Sequence, residues 1–455
     1  MNLSTIAEQY CPSICRPVLN RVQQSPIGKR IASGIFWSVV GHGLGRGLTF
    51  VAMVLVARIL GKETFGEFGL VRATASMFVI FSSFGMGLTA TKYIAELLQS
   101  DKERVGRIIG LNYSLSFFLS LVITTIFYFS IPQLCETLLN APDLVHEMRW
   151  GALLLFLLTF TSTQYSMMSG FQDFKGQANV ILIVGVLTIP AYWIGANWSG
   201  LHGAVMALLF VTLVNVIINS IFIFYNIKTH KLRYYFFDAY KELPVLWKFS
   251  LPTVMCGTIM SGGIWICQMI QRLQPNGAGE LGIYYALMVF YSIASFLPDI
   301  VNNVTLPMAS ETQGNQNVRQ LRKIIFMQLG LNISVVLVIL LPIIIFPRQI
   351  MSCFGNDFIV GNGVIFLFVV YCLLAVLAGT VYTAATGVGF VWLNFITIIF
   401  GTTVMLSVAY WSISRWGSFG LFLAMLLDVL VRIIVFVICI LFFSRQILMK
   451  KQKKL

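Results

Sequence analysis

The chain has 455 residues, 58% of them hydrophobic and only 11% charged, with a mean hydropathy of +0.84. Soluble domains carry about 25% charged residues, so this composition excludes an ordinary water-soluble fold and points to lipid as the solvent. The formal charge of +14 collects between apolar runs and at both ends and accompanies no nucleic-acid-binding motif, which leaves a membrane surface rather than nucleic acid as its partner.

Residues 1–32 read as a cytoplasmic arm. The first thirty contain no long apolar core and end in Lys29 and Arg30, which argues against a cleaved signal peptide. Twelve apolar runs follow, near 33–58, 67–91, 108–130, 149–168, 177–197 and 203–225, then 246–270, 281–303, 323–346, 363–385, 390–411 and 418–443. Each is long enough to cross ~30 Å of hydrocarbon, and only helices satisfy their backbone there without a closed barrel. The expectation is an all-α polytopic membrane protein of twelve transmembrane helices. Its parts are an N-lobe at 33–225, a loop at 226–245, a C-lobe at 246–443 and a basic tail at 444–455.

Lysines and arginines alternate sharply between the two sides of these spans. The side holding both termini carries 22 and the other side five. The positive-inside rule therefore predicts cytoplasmic termini.

The chain also repeats itself at an offset near 215. "FGEFG" at 65–69 returns as "AGELG" at 278–282, and "AYW" at 191–193 returns at 409–411. Tyr165 and Gly170 return as Tyr382 and Gly387, while Gly200, Gly203 and Ala207 return as Gly417, Gly420 and Ala424. Six spans per half is even, so both halves cross in the same sense. That predicts two lobes related by an axis along the membrane normal with a cavity between them.

Within the first span, Ser38, His42, Gly45, Arg46 and Thr49 fall on one helical sector of about 100°. Lipid does not tolerate such a face, so it looks into protein or water. Two readings of Arg46 stand: a wall of a solvated cationic cavity, or a structural residue paired with Asp299 or Asp428. Arg58 and Arg72 lie near the ends of their spans, where they line the cavity or snorkel to the interface. Arg272 has the matching edge position after the seventh span, where snorkelling is the simpler role. Lys92 sits at the cytoplasmic end of the second, where charge bias alone explains it.

Asp428 and Arg432 are four residues apart on one face of the last span. They form either a mutually neutralising pair or an ion-sensitive switch. Asp299 follows Pro298, which frees backbone carbonyls, so the eighth span is expected to kink near Asn302 and Asn303. Asp428, Arg432 and Asp299 are the candidates for coupling to H+ or Na+. The hydroxyl-rich "TSTQYSMMS" at 161–169 reads as hydrogen bonding between helices, with sugar contact as the alternative. Eight scattered cysteines show no metal-ligand spacing, and no cofactor is expected.

The segments "GIFWSVVG" at 34–41, "LVARILGKETFGEFGL" at 55–70 and "FGMGLTATKYIAEL" at 84–97, with "GFQDFKGQANV" at 170–180, resemble the polysaccharide-transporter branch of the multidrug/oligosaccharidyl-lipid/polysaccharide exporter superfamily. The resemblance implies a V-shaped pair of six-helix lobes in the bacterial inner membrane. It also implies alternating access and a cargo of oligosaccharide, such as an O-antigen or capsule repeat unit, on a polyprenyl pyrophosphate. Its partners would be membrane lipid and the polymerases or glycosyltransferases of the same pathway. A lipid II flippase relative uses arginines of spans one, two and eight; Arg46 and Arg72 match the first two, and the eighth span has none. The expected substrate-binding set is Arg46, His42, Arg72, Arg58, Thr49, Arg272 and Lys92.

Two rivals were weighed. A membrane-embedded polymerase or glycosyltransferase would need a large outer loop or a carboxylate motif that the chain lacks. A multidrug or organic-cation exporter of the same superfamily would favour an acidic cavity, where the first half offers arginines and a histidine.

Overall fold

The computed structural model describes residues 26–233, 242–302, 318–387 and 391–452. The first 25 residues, the middle of the predicted loop, Asn303 and the last three residues lie outside it. Among the described residues the chain is helical, without strands.

Among the described residues nine helices are long and apolar enough to cross a membrane, or ten when Gly277–Ala294 and Phe296–Asn302 count as one bent span. Two of the nine are too long for a single crossing. Phe174–Thr229, at 56 residues, would stretch about 84 Å as a straight rod. It turns back instead at Ser199 and Gly200, which leave helical geometry. Pro26–Ser83 turns back likewise at Gly61, with φ 76°, and Arg72 reaches Met53 across the resulting hairpin. These connections are tighter than the sequence suggests, because one left-handed glycine reverses the chain where an L side chain would be strained. Divided at these turns, the helices are consistent with twelve spans in two lobes.

The internal repeat reappears in three dimensions. Gly200 has φ 56° and its counterpart Gly417 has φ 55°. Gln177 donates to the Tyr165 carbonyl (3.0 Å) and Ser169 Oγ (2.8 Å). Asn394, at the equivalent place, donates to the Tyr382 carbonyl (3.1 Å) and Thr386 Oγ1 (3.0 Å). The same polar clasp thus ties the fourth span to the fifth and the tenth to the eleventh.

Two faces of the bundle can be told apart. The basic face carries Lys92, Arg104 and Glu242; the opposite face carries Gly61, Gly200 and Gly417. Near the opposite face one apolar core runs through both lobes, from Val56 and Phe65 to Tyr284, Phe354 and Phe358. Toward the basic face the N-lobe has a core of its own around Ile94, Ile108 and Ile223. The lobes therefore share an apolar core at the opposite face, whereas the core toward the basic face holds N-lobe residues alone.

Glycines make that junction possible. A methyl group on Gly66 would collide with the Ala278 carbonyl, and one on Gly282 with that of Lys62. Both glycines belong to the repeated "FGEFG"/"AGELG" motif, so the motif packs against its own copy. Small residues allow such backbone approach where lipid supplies no hydrophobic drive.

The hydroxyl-rich stretch of the fourth span bonds to its neighbours. Thr163 meets Ser116 at 2.9 Å, Thr159 meets Ser82 at 2.5 Å, and the Ser166 carbonyl accepts from Thr91 at 2.9 Å. The helix of the sixth span continues to Thr229 and that of the seventh starts at Leu243. The last helix extends to Gln452, into the predicted tail.

Candidate transport site

Arg46 lies fifteen residues before Gly61, and Arg432 fifteen residues after Gly417. At 1.5 Å per residue, both guanidinium-bearing positions sit about 22 Å from the opposite face. Each lobe thus carries an arginine deep in the span region, and each arginine has found a carboxylate.

Arg46 reaches out of its own lobe. Its guanidinium donates to Asp299 at 3.3 Å, to Ser295 Oγ at 3.3 Å and to the Ser292 carbonyl. These partners surround the bend of the eighth span, where the helix axis turns by 46° after Ala294. The kink expected from Pro298 is present, and the side chain from the first span occupies it. The bridge is not enclosed: the Arg46 and Asp299 side chains are 33% and 54% exposed. Arg46 is therefore paired with Asp299, one of the two carboxylates named from the sequence, and remains partly accessible.

The same arginine lines a cavity of about 350 Å³ within the N-lobe, together with His42, Thr49, Tyr165, Thr188 and Asn215. Gly41 and Gly45 let the first span press against Ala178 and Ile181 of the fifth, which turns the polar sector of the first span toward this space. Tyr165, Thr188 and Asn215 were missed as lining residues. Tyr165 alone carried a signal, its recurrence as Tyr382.

The C-lobe holds the counterpart cavity, about 410 Å³, lined by Tyr291, Tyr371, Tyr382, Asn394, Asp428 and Arg432. Here the pair is internal and two-pronged, with Arg432 Nε to Asp428 Oδ1 at 2.8 Å and Nη2 to Oδ2 at 2.7 Å. These side chains are 15% and 9% exposed, so this pair is far drier than the one at Arg46. Gly401 makes room for it, because a methyl group there would strike the Asp428 carboxylate. Beside Asp299, Asn302 accepts from Gln328 (2.6 Å) and Asn332 (3.3 Å), and Asn332 donates to Thr380 (3.0 Å).

The remaining predicted site residues are scattered. Arg272 pairs with Glu67 of the other lobe at 3.4 Å, so it spans the junction instead of snorkelling. Arg58 donates to the Cys353 carbonyl at 2.5 Å, also across the lobes. Arg72 is exposed on the second span beside Met53. Lys92 lies over the Tyr93 ring at 5.1 Å on the basic face, well away from Arg46. Sequence reasoning missed Glu242, which is 6% exposed and draws Arg104 (3.1 Å) and Arg107 (3.6 Å) of the third span to the start of the seventh.

The family described as "Polysaccharide biosynthesis protein" matches residues 31–313, well over half of the chain. The chain belongs to that family. A curated relative, the EPS I polysaccharide export inner membrane protein EpsE of Ralstonia nicotianae, is 22% identical over 61% of this chain and 63% of its own length. The match to this polysaccharide biosynthesis family member thus spans somewhat less than two thirds of that relative. Among solved structures, the inward-facing form of a multidrug resistance MATE family transporter of the MOP superfamily superposes with a TM-score of 0.71. It shares 16% identity and covers 90% of this chain and 98% of its own. The inward closed form of the lipid II flippase MurJ gives 0.69 at 15% identity over 89% and 87% of the two chains. The polysaccharide biosynthesis protein described here therefore has the fold of the MOP superfamily: an all-α, multi-pass membrane protein of two helical lobes.

Proposed function

We propose that the protein is a flippase, not an enzyme, that moves an oligosaccharide linked to a polyprenyl pyrophosphate across the bacterial inner membrane by alternating access. The observation that carries the proposal is Arg46, a partly accessible guanidinium deep in the span region that bridges the two lobes at a helix bend. The relatives, a polysaccharide export protein and a lipid II flippase, support the same substrate class.

The chemistry follows from the charges. A pyrophosphate headgroup must cross ~30 Å of hydrocarbon, and charge-assisted, two-pronged bonds to a guanidinium offset part of that desolvation. With Asp299 already on Arg46, the headgroup binds by exchange: phosphate oxygens displace the carboxylate. Freed from Arg46, the bent eighth span is released from the first. That contact is one of those holding the lobes together, so cargo binding and lobe movement are coupled. The lipid tail stays in the bilayer throughout. The N-lobe cavity of about 350 Å³ is at the small end for a ligand pocket, so it takes the headgroup end while further sugars lie between the lobes.

On the charge bias counted above, the basic face is cytoplasmic, as are both termini. The apolar core shared by the lobes then lies on the outer side, and the cargo, built by glycosyltransferases in the cytoplasm, enters from the basic face; a polymerase would receive it outside. A cationic drug fits less well, because Arg432 already neutralises Asp428 in the C-lobe cavity.

The test is a deletion strain complemented with variants, reading the lipid-linked repeat unit left on the inner leaflet. Arg46→Ala accumulates it, whereas Arg46→Lys clears part of it because charge survives without the planar fork. Wild-type clearance by a folded, inserted Arg46→Ala protein would remove the headgroup role.

A further inference from the structure

At the opposite face, far from Arg46, three side chains converge that neither the cavity nor the junction uses. His146 and Glu147 open the helix Val145–Gly170 of the fourth span. His202 follows the left-handed turn at Gly200, which folds the sixth span back over them. The two imidazole rings face each other with centroids 4.9 Å apart, and His146 Nδ1 lies 3.8 Å from Glu147 Oε1. One ligand atom from each residue falls within 4.8 Å of the others. Trp150 backs both rings, at 6.2 and 6.3 Å.

His202 Nδ1 is enclosed and has no hydrogen-bond partner in the protein. A buried imidazole nitrogen of this kind costs free energy unless something occupies it. Its neighbours cannot serve as they stand: the imidazole of His146 and the carboxylate of Glu147 approach without bonding to it.

We infer that His146, Glu147 and His202 form a binding site for a divalent transition metal ion of the zinc type. Two neutral imidazoles and one carboxylate are a sufficient set for zinc(II), with water in the fourth position. Tetrahedral bonds of about 2.0–2.1 Å require the ligand atoms to close in from their present spacing. His146, whose side chain is 65% exposed, is free to supply that movement. Glu67, paired with Arg272, lies within electrostatic reach of Glu147, Glu63 and Asp143, and these carboxylates raise the local cation concentration. Once bound, the ion ties the fourth span to the sixth beside the Glu67–Arg272 pair that joins the lobes. On the proposed orientation it is taken from outside the cell. Binding itself does not depend on the flippase reading.

The test uses the full chain without a polyhistidine tag, in nanodiscs, stripped with chelator and titrated with cobalt(II). Tetrahedral cobalt shows intense visible absorption, and zinc(II) bleaches it. The expected result is one cobalt per chain. His146→Ala, Glu147→Gln and His202→Ala should each weaken binding by at least about tenfold, while His230→Ala on the basic face leaves it unchanged. Should His202→Ala fold poorly, His146→Ala gives the same reading from an exposed side chain. Absence of stoichiometric binding, or a titration in His146→Ala indistinguishable from wild type, overturns the inference.

Discussion

Arg46 and Asp299 stand 253 residues apart in sequence and 3.3 Å apart in space, one on each lobe. Both side chains are partly accessible, so the bridge is open to exchange. Its importance lies in what must replace it. A ligand that binds Arg46 has to outcompete a carboxylate already in place.

Asp299→Asn should therefore tighten binding of a short-chain polyprenyl pyrophosphate, by roughly threefold to tenfold. Titration calorimetry in nanodiscs reads this directly. Unchanged affinity would separate Asp299 from the headgroup site.

The junction at the opposite face predicts a conformational effect. Gly66→Ala or Gly282→Ala places a methyl group against a backbone carbonyl, and overpacking of this kind costs about 1–3 kcal/mol. The cost falls only on the joined state, so these variants should populate the form open at the opposite face. Cysteines placed near Tyr285 should then react faster with an impermeant thiol reagent added from that side. Equal rates in variant and wild type would count against a glycine-dependent closure.

The Asp428–Arg432 pair should behave as a unit. Asp428→Asn strands a guanidinium in a site where it is 15% exposed, and breaking a buried pair costs about 3–5 kcal/mol. Asp428→Leu with Arg432→Met should recover most of that loss, as replacement of both partners often does. Thermal unfolding in detergent checks both statements. If the double variant also keeps its dependence on Na+ and pH, the pair is structural and not an ion switch.

At the basic face, Glu242→Gln removes the one carboxylate that Arg104 and Arg107 share across the lobes. The segments around 99–107 should then exchange amide hydrogen faster, with the difference fading at high salt as screening weakens the original pair. No change at low salt would mean that the apolar contacts alone hold this edge.

Much of this architecture was legible in the sequence because membrane spans leave a strong trace: long apolar runs, basic flanks and a doubled motif. The repeated glycines proved informative for a physical reason. Gly200 and Gly417 make the same reversal, and "FGEFG" and "AGELG" meet at the junction. The kink at Pro298 was equally readable, since proline removes a helical donor wherever it falls. Pairing across the lobes was only partly readable. The sequence offered Arg46 either Asp299 or Asp428 without showing which of them meets it, and gave no sign that Arg272 finds Glu67, because such contacts depend on how two bodies lean together. Glu242 escaped for the same reason, standing as one acid in a basic stretch until the fold closes two arginines on it.

The matched depth of Arg46 and Arg432 has an electrical consequence. Each arginine sits with its own aspartate, so the waist of the unloaded protein holds two cations and two anions, with no net charge among these four groups. A movement that keeps both pairs intact then carries none of their net charge through the transmembrane field, and the voltage neither drives nor resists it on their account. Loaded with a pyrophosphate, the same movement carries negative charge toward the positive exterior. Each charge that crosses fully contributes about 2.3 kcal/mol per 100 mV, so on the proposed cargo and orientation the resting potential favours export over import.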